Sequence, residues 1–514
     1  MLIESCPFRQ SPCCGFQHIL KWFRVKRHSD GNERSHHLTT ELNIPIQVDR
    51  HSGVALHEQL AAQFRRAILD GRLAAGVRLP STRSLAAATG VSRNVALASY
   101  DELFAEGYVE GRHGSGTYVA HDLPATPSRS IPAPSGSPRW LRQLPDLPPA
   151  EPDRPGLIDF RLGKPSTSRF PSDAWRRVWQ TVASEPVPAG YGDPAGEPLL
   201  REAIAAYVRR SRGVVCDASD VVVTSGAVQA VDLVARATLR PGDGVAFENP
   251  GYPVARAVLE ASGARIVPVS VDGDGLRVGV LSGVQPPPLL VYVTPSHQYP
   301  LGGRMSLARR MALLEWAREA DGLIVEDDYD SEYRYDGPPL PALAGLDEAG
   351  RVAYVGTFSK LLAPSLRVGY LVGPAPLRER VVRMKRLADY HTAWPPQRAL
   401  AAFIADGHLD RHVRRMRRHY ADKRAALDLA LRPVADRAVL RGLEAGLHVF
   451  LELDPSLDAE VVRTRALERG VVVSTLDGYS CDGPPPNGLL IGYGGLEIPD
   501  IISGAATLRE CLAR

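Results

Sequence analysis

Cysteine is scarce, aromatic residues are few and the two signs of charge nearly cancel in this 514-residue chain. Its six cysteines, at 6, 13, 14, 216, 481 and 511, show no paired ligand spacing. That argues against a disulfide framework or a structural metal site and suits reduced thiols in the cytoplasm. No apolar run approaches the roughly 18 residues that cross a bilayer, so no membrane span is expected. A formal net charge of +3 is too small to argue for nucleic acid on its own. Residues 41–120 carry eight arginines against eight carboxylates, so a DNA reading has to rest on where those charges sit.

What is present is length, and an ordinary globular composition. A chain of 514 residues exceeds one hydrophobic core and predicts two or three domains. Residues 1–43 mix His, Arg and Cys without a secretory apolar segment and read as an irregular or disordered extension. Residues 44–120 form a first domain. Residues 121–156 hold ten prolines and read as a semi-extended linker, able to reach on the order of 100 Å. Residues 157–514 form the larger domain.

In the first domain, Leu56, Leu60, Phe64, Ile68 and Leu69 follow helical spacing, and Asp70-Gly71 stops that helix. Pro80 and Ser81 open a second helix that ends at Thr89-Gly90. Ser92 caps a third, running to about Glu106. Helix, tight glycine turn, helix is the helix-turn-helix arrangement, whose last helix enters the major groove by its N-terminus. There Ser92, Arg93 and Asn94 supply a hydroxyl, a guanidinium and an amide for base edges and phosphates. Tyr108 to Val119 reads as two short strands around a glycine turn, with Arg112 and His113 at the tip of a wing. Arg78, Arg83, Arg93 and Arg112 could share one face. The plain alternative is a helical hairpin with a β-ribbon for protein contact.

From Asp159 onward, short apolar runs alternate with helical stretches: Val221–Val223, Val245–Phe247, Leu289–Val293, Leu323–Val325 and Val352–Val355. Buried strands alternating with helices predict a mostly parallel sheet with ligands beyond the strands' carboxyl ends. The candidate chemistry falls at those ends. Gly226, Ala227 and Val228 start a helix, where backbone amides can hold a phosphate. Tyr252 puts a ring past the next strand, Glu326–Asp330 ends a buried strand in carboxylates, and Lys360 follows Thr357 and Ser359. Arg367 adds a phosphate fork. A lysine able to form a Schiff base, a carboxylate for a pyridine nitrogen, a stacking ring and phosphate anchors are what pyridoxal 5'-phosphate requires. A Mg²⁺ site at Asp327, Asp328 and Asp330 is the rival reading, but it leaves Lys360 and Arg367 unexplained. Arg411–Arg424 is an arginine-rich helical segment that reads as solvated or subunit-facing, with DNA phosphates as the alternative.

Two resemblances sharpen these expectations. Leu79–Ala86, Gly90–Arg93, Gly107–Val109 and Gly114–Val119 resemble the GntR-type winged helix, with Thr82 where that family usually has Glu. The resemblance implies DNA contacts at Arg83, Ser92, Arg93, Asn94, His113 and Gly114. Tyr191–Gly196, Thr294–Pro300, Glu326–Tyr335 and Gly356–Lys360 resemble fold-type I aminotransferases. Head and body together resemble the MocR/GabR subfamily of GntR regulators. The likeness implies a large subdomain over about 185–375 and a small α+β one over about 376–514. It implies that Lys360 carries the cofactor and Asp327 pairs with the pyridine nitrogen. Tyr329 would meet the phenolic oxygen, Tyr252 the ring face, and His297 would lie close by. Thr357, Ser359, Arg367 and the Gly226 turn would bind phosphate, and Tyr191 would reach a partner subunit's phosphate.

Two departures stand out. Ala227 and Val228 replace hydroxyl and amide side chains, which leaves phosphate to the backbone. Leu489-Leu490-Ile491-Gly492-Tyr493 lacks the arginine that relatives often place there to clamp a substrate carboxylate. The expected function is a cytoplasmic, homodimeric regulator of double-stranded promoter DNA, with heads reaching the partner subunit. It would sense the cofactor or its adduct with an amine or amino acid. The alternatives are an aminotransferase with an accessory head, and a DNA binder whose pocket is only a dimerisation scaffold.

Overall fold

The computed structural model describes residues 46–112, 114–123, 141, 144–147, 154–337 and 340–513. His113, most of the linker and the N-terminal extension lie outside these residues. The chain divides into two compact units, with the break after Trp140.

The first unit contains helices α1 (Leu56–Leu69), α2 (Thr82–Thr89) and α3 (Arg93–Ala105), then strands β1 (Val109–Arg112) and β2 (Gly116–Val119). Local chemistry sets the boundaries. The Ser81 hydroxyl accepts from the Ser84 amide and that of Ser92 from the Val95 amide, while Gly90 ends α2 at φ +67°. Leu60, Phe64, Leu85, Ala96, Tyr100 and Leu103 are buried, and the three helices pack on them. Val109 pairs with Val119 and Arg112 with Gly116 in an antiparallel wing.

In the second unit, β3 (Ile158–Asp159) pairs in parallel with β14 (Val471–Val472). The main sheet has the order β4-β11-β10-β9-β8-β5-β6-β7. Its strands are β4 (Val221–Thr224), β5 (Gly244–Asn249), β6 (Arg265–Asp272), β7 (Gly275–Leu276), β8 (Leu290–Val293), β9 (Leu323–Asp328), β10 (Val352–Thr357) and β11 (Gly369–Val372). The run from β6 through β5, β8 and β9 to β10 is parallel, and β11 is antiparallel to both of its neighbours. The four central parallel strands, β5, β8, β9 and β10, are buried throughout or nearly so, as a parallel sheet covered by helices on both faces requires. A smaller antiparallel sheet joins β12 (Ala438–Arg441), β13 (His448–Leu453) and β15 (Gly488–Gly492). This is the expected α/β architecture, with a second α+β layer built late in the chain.

Candidate functional site

Parallel strands deliver their C-terminal residues to one edge of a sheet, and here that edge is a pocket of about 300 Å³. Ala227 and Val228 reach it after β4, Tyr252 after β5, Thr294 and Tyr299 after β8, Asp327, Tyr329 and Asp330 at the end of β9, and Thr357, Ser359 and Lys360 at the end of β10. Arg367 completes that side. Leu447 and His448 enter from the small sheet, and Leu162 and Gly163 from the segment after β3.

The helix Ala227–Thr238 begins at Gly226, which has no side chain to cap it and sits at φ +105°. A Cβ there would come within 3.0 Å of the Arg367 guanidinium, so glycine is what lets arginine and helix start share the space. Arg367 itself holds φ +50° and donates to the Ser225 carbonyl at 2.6 Å. A left-handed non-glycine residue carries strain, and here it aims a guanidinium at the uncapped helix start. Thr357 donates to the Ser359 hydroxyl at 3.0 Å on the same side.

Alternation along β9 sorts its carboxylates. Asp328 faces the helical layer, where it takes Arg212 Nε at 2.6 Å and the Tyr354 hydroxyl at 2.7 Å. Glu326 faces the same way and accepts the amides of Leu343 and Ala344 at 2.9 Å each. Asp327 points to the pocket. Its Oδ2 accepts from the Tyr292 hydroxyl at 2.6 Å, while its Oδ1 is buried without a partner. Burial raises its pKa to about 6 against the opposing Tyr292 bond. The Mg²⁺ alternative at Asp327, Asp328 and Asp330 is therefore corrected, because period-two geometry sends Asp328 away to its arginine.

Lys360 Nζ donates to the Gly163 carbonyl at 2.7 Å, and burial pulls its pKa down. That favours the neutral amine which Schiff-base chemistry requires. Behind it, Tyr329 donates to the His297 carbonyl at 2.9 Å, and His297 Nδ1 lies 3.0 Å from Asp330. His297, Asp330 and His448 lie within 4.8 Å of one another, the one such group among the described residues.

Most of the candidate residues thus meet in one pocket. His297 stands behind the wall rather than in it. Tyr191 is 76% exposed and packs tilted against Tyr390 at a ring separation of 4.8 Å, outside this chain's pocket. Sequence reasoning missed Tyr292, Leu162, Leu447 and His448. Tyr292 carried a usable signal, an aromatic inside an otherwise aliphatic strand beside the acidic one.

On the head, Arg83, Ser92, Arg93, Asn94 and Gly114 are exposed. Glu102 and Glu106, at the far end of α3 from Ser92 and Arg93, pair with Arg65 at 3.0 and 2.7 Å. Arg112 ends β1 beside the turn, at the tip of the wing, with its side chain 47% exposed. It pairs with Glu110 at 2.9 Å and lies 4.7 Å from the Tyr118 ring centroid. The arginines of the 411–424 segment also have local duties: Arg415 donates to the Arg169 carbonyl, Arg417 to that of Glu332 and Arg424 to that of Leu443.

Comparison with known proteins decides the family. The aminotransferase class I and II model matches residues 155–491, and the bacterial regulatory gntR family model matches 56–119. The "Probable rhizopine catabolism regulatory protein MocR" of Rhizobium meliloti is 40% identical over 473 residues, 90% of this chain and 95% of that protein. The chain belongs to the MocR/GabR subfamily of GntR regulators. Another MocR-type relative, the "HTH-type pyridoxine biosynthesis transcriptional regulator PdxR" of Corynebacterium glutamicum, is 34% identical over 453 residues, 88% of this chain and 95% of that protein. Among solved structures, the alpha-aminoadipate aminotransferase LysN of Thermus thermophilus aligns with a TM-score of 0.65 at 30% identity, covering 70% of this chain and 92% of that one. The subfamily's GntR head makes this a DNA-binding regulator. Its body has the aminotransferase fold, which implies dependence on pyridoxal phosphate. No helix of the described residues is long and apolar enough to cross a membrane.

Proposed function

We propose that this regulator binds pyridoxal 5'-phosphate at Lys360 and alters its promoter affinity when an amine enters the same pocket. One observation carries the reading. Asp327 Oδ1 is buried and unpartnered in the pocket that also holds Lys360, so the site has a place for a cation and a nucleophile beside it. The uncapped helix start and Arg367 suit a phosphate.

Asp327 would hold a proton at the pyridine nitrogen. Arg367, Thr357, Ser359 and the amides of Ala227 and Val228 would bind the phosphate; Tyr252 would cover the ring and Tyr329 its phenolic oxygen. Bound there, the cofactor supplies an aldehyde carbon open to an amine and an electron-withdrawing ring. The homodimer, with Tyr191 serving the partner's site, belongs to the same proposal. A ligand shifts such a protein only through unequal affinity for two of its arrangements, and several-fold changes are the usual scale.

The test is a mobility-shift titration with the protein's own upstream DNA, with and without cofactor and amine. The reading expects a sequence-preferring complex whose affinity changes about fivefold or more. Absence of sequence preference under all conditions contradicts it. The second reading, an active aminotransferase with an accessory head, is favoured by the intact Lys360, Asp327 and Arg367 set and requires sustained turnover of an amino donor with an oxo-acid.

A further inference from the structure

We infer that the pocket is built for a primary amine that carries hydroxyl-type hydrogen-bond donors and no carboxylate, with Asp330 and His448 as its specificity-determining residues. The inference rests on the reading that Lys360, Asp327 and Arg367 hold the cofactor. Among the described residues, the charged groups of the pocket wall are Asp327, Asp330, Lys360 and Arg367. That reading commits Arg367 to phosphate, Asp327 to the ring nitrogen and Lys360 to the aldehyde. What remains for the far end of a ligand is the carboxylate of Asp330, 1% exposed and held from behind by His297 Nδ1 at 3.0 Å. A ligand carboxylate brought beside it would lose its water and gain no cation from the described residues of this chain.

His448 adds a second, independent constraint. It opens β13, is 3% exposed and lines the pocket. Burial holds its pKa well below the ordinary histidine range, so the ring is neutral. Its Nε2 has no partner. With its proton on Nδ1, the neutral ring keeps a lone pair on Nε2. That atom accepts from a hydroxyl or an ammonium and has nothing to offer a carboxylate.

The strand that faces β13 supplies no cation either. Leu490 is wholly buried in an apolar cluster with Phe450 and Leu476, against which Leu162 of the pocket wall packs. A hydroxylated amine therefore finds partners on this side, and an α-amino acid meets a carboxylate and hydrocarbon.

Three matched probes separate these terms: ethanolamine, L-serine, which adds a carboxylate, and ethylamine, which lacks the hydroxyl. Each is titrated into cofactor-loaded full-length protein while the visible absorbance of the bound cofactor is followed. Ethanolamine is expected to perturb the spectrum at a concentration at least about tenfold lower than L-serine, the scale set by an uncompensated buried carboxylate. It is also expected to act below ethylamine. Asp330→Asn should narrow the gap between ethanolamine and L-serine, and His448→Phe the gap between ethanolamine and ethylamine. If L-serine matches ethanolamine in the parent protein, or if none of the three moves the spectrum, the inference is overturned. A protein that takes up no cofactor before any amine is added defeats instead the reading beneath it. The comparison in the parent protein decides the matter even if a variant does not fold.

Discussion

Tyr292 donates its hydroxyl to Oδ2 of Asp327 at 2.6 Å, leaving Oδ1 of that buried carboxylate without a partner. The bond orients the carboxyl group and favours its charged form against the pull of burial. Tyr292→Phe should therefore push the Asp327 pKa further up and weaken cofactor binding by about tenfold, the scale of one lost hydrogen bond to a charged group. A cofactor titration followed by absorbance measures this. Unchanged affinity would show that Asp327 does not serve the ring nitrogen.

The same carboxylate sets a pH dependence. Its folded pKa of about 6 lies above its ordinary value of 3.8. Between these values the cofactor-free folded chain keeps a proton that the unfolded chain has lost. Stability therefore falls as pH rises through that window and levels off above it, for a full cost of about 3 kcal/mol. A cation opposite Oδ1 removes the cost. The rise in melting temperature on adding cofactor should be larger near pH 7.5 than near pH 5, and equal rises would count against the pairing.

The two halves of the function should separate by mutation. Arg93→Ala is expected to weaken operator binding by about 1–3 kcal/mol, roughly five- to 150-fold, with no effect on cofactor absorbance. Lys360→Ala should do the reverse, keeping DNA affinity and losing its response to cofactor and amine. A gel-shift titration of both variants checks the pair. An amine response of parental size in Lys360→Ala would remove the lysine from the mechanism.

On the opposite face of β9, Arg212 and Asp328 form a buried pair at 2.6 Å, with side chains 2% and 1% exposed. Arg212→Met would strand the Asp328 charge and should cost about 3–5 kcal/mol of unfolding free energy. Denaturant unfolding of the cofactor-free protein reads this directly, and a loss under about 1 kcal/mol would mean that Asp328 is served by Tyr354 alone.

Local rules made much of this legible in the sequence. Ser81, Gly90 and Ser92 cap helices through atoms a few residues away, so their roles could be read without a fold. The acidic run on β9 and Lys360 after β10 could be placed because apolar strands announce their own ends. The separation of Asp327 from Asp328 was also available in the two-residue period of a strand, although the triplet first looks like one metal site. His448 and Leu447 were not legible. They reach the pocket from a second sheet far along the chain, and nothing in their neighbours marks them. The ring of Tyr118 beside Arg112 was not legible either, because the two meet only across the folded wing.

The most direct measurement of the central claim is borohydride reduction of the purified, cofactor-loaded protein followed by peptide mass analysis. The account predicts a phosphopyridoxyl group fixed to the peptide that contains Lys360, lost on Lys360→Ala. Label on a different lysine, or none in a protein that binds the cofactor, would contradict it.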